Sequence, residues 1–218
     1  MTEIYLEIGK RTVFACACLW PGWCRAGRGE DKALAALAAA APRYAVVCAR
    51  AAISFDAADA GPFEIAERVA GTATTDFGAL DAAPALDGNA VTAQQSDRVM
   101  ALIVAAWDLF EETAAAAPAV LRKGPRGGGR DRDAMIAHVH ETEVLHARML
   151  GLKERPFAPG DRVAVLALRA RILAEIGARA SDGQAGELPR ARRPALFVAR
   201  RTAWHALDHA WEMLDRQQ

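Results

Sequence analysis

The stretch WHALDHAWEM sets His205 and His209 four residues apart. On a helix that spacing points both imidazoles to one side, where they can grip a metal or simply pack in an aromatic-rich core. The remaining histidines, His138, His140 and His146, all fall in DRDAMIAHVHETEVLHARML. Turning each stretch by ~100° per residue puts His205 and His209 beside Val198, Thr202 and Met213, bordering a charged stripe of Arg201, Asp208, Glu212 and Asp215. His138 takes the centre of a face made by Ala134, Met135, Leu145 and Met149. His140 lies among Asp133, Glu143 and Ala147, which predicts a solvated ring, while His146 flanks the apolar face and its position stays open. Together His138, His205 and His209 make the ligand set of an open three-histidine site for Zn²⁺, Ni²⁺ or Fe²⁺, with a position left for water or substrate. Ligating histidines need their outer ring nitrogens oriented, and Glu212, Asp208 and Glu141 are candidates for that task. The competing reading makes all three histidines core side chains hydrogen-bonded to their neighbours, with the carboxylates as a solvated face.

Such a site needs rigid helices, and the second half of the chain reads as four. Thr92-Ala93-Gln94-Gln95 fits a capping box opening a helix to about Ala117, before Pro118. A second helix begins near Asp131 and ends where Gly151 supplies the C′ residue; a third spans about Asp161 to Ala180. A fourth runs from about Pro194, read as N1, to Asp215. Four helices of this length predict an antiparallel bundle over residues 92–218. The first 70 residues favour a ββα-type unit: IYLEI, a GKR turn and TVFACACL form a hairpin, followed by the helix former DKALAALAAAAPRY, which meets Pro42. A further strand is expected at FEIAERV, and residues 71–91, rich in Ala, Asp, Gly, Pro and Thr, read as the connection. The expected class is therefore α+β, a small N-terminal α+β domain followed by the bundle.

Across 218 residues, 52% are hydrophobic and 25% charged, an ordinary globular balance, and the formal net charge is zero. No global field collects nucleic acid or an anionic membrane. MTEIYLEIGKR has no apolar signal region and no apolar run is long enough to span a bilayer, so a cytoplasmic protein is expected. Cys16, Cys18, Cys24 and Cys48 match no common zinc-finger spacing, and read as buried small hydrophobes. The basic loop LRKGPRGGGRDRD lacks the P-loop order but leads into the N-terminus of the second helix, where free N–H groups favour anions. Arg126 and Arg130 could there hold an anionic substrate or thiol cofactor beside the metal; as a solvated connector the loop would hold neither.

The segments AHVHETE and WHALDHAWEM resemble the DinB/YfiT-like four-helix bundles over roughly residues 92–216. In that family one histidine of the second helix and an HxxxH pair in the last hold a metal, and His138, His205 and His209 match this triad. Characterised members use low-molecular-weight thiols as transferases and isomerases. The resemblance therefore implies a metal whose open position receives a thiol and stabilises its thiolate, with an electrophilic substrate as partner. PGWC followed by GRGEDKALAAL is similar to HicB-like domains, which bind a protein partner; no DNA-binding signature accompanies it, so antitoxin function is not carried over. The wider layout also resembles a group of actinobacterial proteins. The sequence leads to a divalent-metal-dependent S-transferase, isomerase or hydrolase, the alternative being a non-catalytic partner-binding or regulatory protein with structural histidines. The partners open to it are a small-molecule thiol, a protein at the N-terminal unit and a second copy of itself.

Overall fold

The structure, a computed structural model, describes residues 1–56, 59–123, 128–183, 188–189 and 192–217. It is α+β. Strand β1 (Thr2–Ile8) pairs antiparallel with β2 (Val13–Ala17), and β2 antiparallel with β3 (Cys24–Gly27). Strand β4 (Phe63–Ala70) lies parallel to β1 on its other edge, giving a mixed sheet in the order β3-β2-β1-β4. The hairpin expected from IYLEI and TVFACACL is present. Its turn is held by Asp76, whose carboxylate accepts the N–H groups of Lys10, Arg11 and Thr12 at 3.1, 2.6 and 3.1 Å. Gly9 is needed there, because a Cβ would sit 2.6 Å from Asp76 Oδ1.

Strand β3 was not expected within WPGWCRAGRGE. Only Cys24 of its four residues is buried, so no alternation marks it, and pairing with β2 makes it a strand. The alanine-rich helix is in fact two, α1 (Glu30–Ala39) and α2 (Ala41–Arg50), bent by 48° with Pro42 in the first turn of α2. Pro42 thus starts a helix instead of ending one. Both faces of the sheet are covered. Ile4, Leu6, Val13, Ala15 and Ala17 join Leu37, Tyr44 and Val47 in the main core, while Tyr5, Phe14, Cys16 and Cys24 pack with Leu80 and Trp204 in a second cluster.

Residues 71–91, expected as a connection, hold α3 (Ala73–Phe77), capped by Thr72, and a 3-10 turn at Ala85–Gly88, and they bury Thr75, Leu80 and Asp87. Beyond them come α4 (Ala93–Ala116), α5 (Arg132–Met149), α6 (Arg162–Asp182) and α7 (Ala195–Arg216). The capping box of α4 is formed as expected, with Gln95 N to Thr92 Oγ1 at 3.2 Å and Thr92 N to Gln95 Oε1 at 2.9 Å. Gly151 follows α5 with a φ of 91°, and Pro194 occupies the N-cap of α7, one position before the expected N1. The four long helices pack on one another: α4 on α6 and α7, α5 on α6 and α7, and α6 on α7. Among the described residues no single helix is long and apolar enough to cross a membrane.

Helix α7 touches both the sheet and the other long helices. Its Arg200, 1% exposed, donates from Nε to the carbonyl of Ala17 at 3.2 Å and from Nη2 to that of Cys18 at 3.0 Å. Asp87 accepts from the same guanidinium at 2.9 and 2.7 Å. A buried charge survives only when so fully partnered. The charged stripe of α7 is paired across to other elements: Arg201 meets Asp81 at 3.2 Å, Asp208 meets Arg25 at 3.2 Å, and Asp215 pairs with Arg43.

Candidate metal centre

Helix α5 presents His138 towards α7, which presents His205 and His209 one turn apart. Each of the three offers a ligand atom, and these atoms all lie within 4.8 Å of one another. The Nε2 atoms of His138 and His205 are 3.2 Å apart, and the ring centroids of His209 lie 5.1 Å from His138 and 4.6 Å from His205. Four tetrahedral ligands at zinc–nitrogen bond lengths of ~2.0–2.1 Å sit ~3.3 Å from each other. The closest pair already has that spacing. His209 Nδ1 lies 3.0 Å from Glu212 Oε2, so its proton goes to the carboxylate and Nε2 is left for the cluster. Arg216 Nη1 in turn donates to Glu212 Oε1 at 2.7 Å.

The electrostatics keep His138 and His205 neutral, as ligation requires. His138 is pushed down to about 4, by burial first and then by the charge of Arg130 and by His209, against the pull of Glu212. His205 is driven further below the ordinary imidazole range, by burial first and then by His209, His146, His138 and Arg201. His146, 1% exposed, falls to about 3 through burial and then Arg201. It extends the cluster inward: its ring centroid is 5.9 Å from that of His205, its Nδ1 meets Thr202 Oγ1 at 3.1 Å, and its Nε2 is buried without a partner.

The structure thus brings together His138, His205 and His209 and answers the open question of His146, which is core. The expected solvation of His140 is corrected. It is 7% exposed, its Nε2 3.2 Å from Glu111 Oε1, because Arg169 of α6 draws Glu143 and Glu111 inward and turns that side of α5 into interior. Of the three candidate orienting carboxylates only Glu212 serves; Asp208 is taken by Arg25, and Glu141 is exposed. Arg130 is exposed, and its charge reaches His138; Arg126 lies outside the described residues. Arg216 was not foreseen. It is 8% exposed, its Nε donates to the carbonyl of Arg122 at 2.7 Å, and its Nη2 is buried without a partner. Gly129 takes a φ of 110°, which favours glycine, and a Cβ there would stand 2.8 Å from the guanidinium carbon of Arg216.

Thr202 was legible only in part: it shares the face of His205 three residues on, but its pairing needs His146 from α5. The four cysteines are free and buried, in keeping with their reading as small hydrophobes. Burial pushes the thiols of Cys18 and Cys48 up to about 12, far from reactive. Among the described residues the three histidines form the one group of His, Cys, Asp or Glu side chains placed to hold a metal. Comparison with known proteins finds no matching family model, no matching curated protein and no matching solved structure.

Proposed function

We propose that helices α4–α7 form a DinB-like bundle that holds one divalent metal on His138, His205 and His209 and works as a thiol-dependent transferase, isomerase or hydrolase. The observation that carries this reading is the convergence of three imidazoles whose ligand atoms lie within 4.8 Å of one another, with a carboxylate on the outer nitrogen of one of them. A divalent cation held there supplies Lewis acidity, lowering the pKa of a thiol or water at an open position. The protein's own part is orientation and charge. Glu212 fixes the tautomer of His209, and Arg216 fixes Glu212. Arg130, with the free Nη2 of Arg216, offers positive charge to the anionic end of a thiol or its partner substrate. The free cysteines accord with a reducing compartment such as the cytoplasm.

One observation favours the non-catalytic alternative. The 3.2 Å between His138 and His205 also suits an N–H···N hydrogen bond, as expected if the histidines only pack. Elemental analysis of untagged, chelator-free protein separates the two. Near-stoichiometric Zn, Ni or Fe is expected in wild type and in His140→Ala, and background metal in His209→Ala. Equal metal in all three proteins would sink the assignment and leave the histidines as packing.

A further inference from the structure

A cavity of about 320 Å³ opens on α5, outside the three-histidine cluster, walled by Ala137, Val144, Leu145, Pro156, Phe157 and Pro159. Its volume suits a small-molecule site. The Phe157 ring and the two prolines give it flat carbon walls, and Phe157 is itself packed against the main core. The roof, residues 152–160, is pinned at Glu154. That carboxylate accepts from Arg171 of α6 at 2.6 and 2.9 Å, and the Glu154 carbonyl accepts from Arg148 of α5 at 3.0 and 2.9 Å. A roof fixed to two helices leaves little ordering for a ligand to offset.

Arg148 lines the same cavity and is solvent-accessible. Arg25, Arg169 and Arg200 each meet a carboxylate, whereas Arg148 spends Nε and Nη2 on a neutral carbonyl. The carboxylate that could have matched its charge, that of Glu154, is taken by Arg171. The guanidinium is thus fixed in place by two hydrogen bonds while its charge stays unmatched, and Nη1 has no protein acceptor. Glu141 also lines the cavity, but it stands two turns back along α5. That is ~10.5 Å at ~1.5 Å per residue, more than the Debye length of ~8 Å, so it repels an anion at Arg148 only weakly. We propose that this cavity binds a compact apolar monocarboxylate, its aryl body against Leu145 and Phe157 and its carboxylate on Nη1 of Arg148. The site stands on its own residues and does not depend on the metal reading.

The probes 2-naphthoate and 2-naphthamide share one shape and differ in charge. NMR titration of the full chain at low salt is expected to show 2-naphthoate binding about 2- to 5-fold more tightly, the range of a solvent-accessible ion pair. The titration is run with chelator and repeated in His209→Ala, so that a metal at the histidine cluster cannot hold the carboxylate. Arg148→Gln keeps a donor for the Glu154 carbonyl and should erase the preference while both probes still bind. Should that variant fail to fold, Ala137→Leu fills the cavity without touching Arg148 and is expected to abolish binding of both probes. Failure of 2-naphthoate to bind, equal affinity for the two probes in wild type, or a preference that survives Arg148→Gln would each overturn the proposal. So would binding unaffected by Ala137→Leu, or binding lost with chelator or in His209→Ala, which would move the carboxylate to the metal centre.

Discussion

Helix α5 carries His140 and Glu143 on the side facing α4 and α6, and His138 on the side facing α7. On the first side every charge meets its opposite. Arg169 grips Glu143 at 3.0 and 2.9 Å and Glu111 at 2.8 Å, and Glu111 also meets His140. On the second side three imidazoles meet each other, and the carboxylate of Glu212 stands behind only one of them. A single proton can bridge two of those nitrogens, whereas a cation can engage all three. Burial alone therefore does not mark a functional histidine. What separates the two sides is whether the buried groups complete one another or share an unmet need.

The comparison can be broken by mutation. Arg169→Met leaves Glu143 buried without its partner and should cost about 3–5 kcal/mol in urea unfolding, with the metal content of the folded fraction unchanged. A loss of metal in that variant would mean the two sides of α5 are not separable. Glu212→Gln removes the charge behind His209 and is expected to weaken metal affinity about 10- to 100-fold, read by competition with a chelator. Unchanged affinity would remove Glu212 from the site.

The smallest effect is in pH. The folded pKa of His146 is depressed to about 3, so below its ordinary value of ~6.5 the unfolded chain takes up a proton that the folded chain refuses. Stability is full above that ordinary value and is lost as pH falls towards the folded pKa. His146 alone should lower the unfolding free energy of the metal-free protein by about 1 kcal/mol between pH 6 and pH 5, with His205, depressed further still, and partly exposed His138 adding to the loss. Stability that holds or rises over that interval would contradict a neutral core imidazole.

What could be read from the sequence was local or periodic. The Thr92–Gln95 capping box involves four consecutive residues, and helical period alone puts His205 and His209 on one face and His138 on the apolar side of its own helix. His140 was misplaced because its neighbour Glu143 looks solvent-seeking on a helical wheel. The partner that makes it interior, Arg169, lies 26 residues away. Strand β3 carries no alternation, since its register is imposed by β2. Arg200 gave no signal at all, because its acceptors are two strand carbonyls and an aspartate in a segment read as a connection.

The clamp that Arg200 makes joins α7 to carbonyls 183 and 182 residues earlier in the chain. Contacts of such sequence separation must offset loop-closure entropy before they stabilise anything, and chains dominated by them fold slowly. Docking of α7 onto the sheet is therefore expected among the late steps of folding. His205 and His209 ride on that helix, so they reach His138 in the same event. A chain paused before it would display an imidazole pair on α7 and a lone imidazole on α5, making assembly of the site a kinetic marker for completion of the fold.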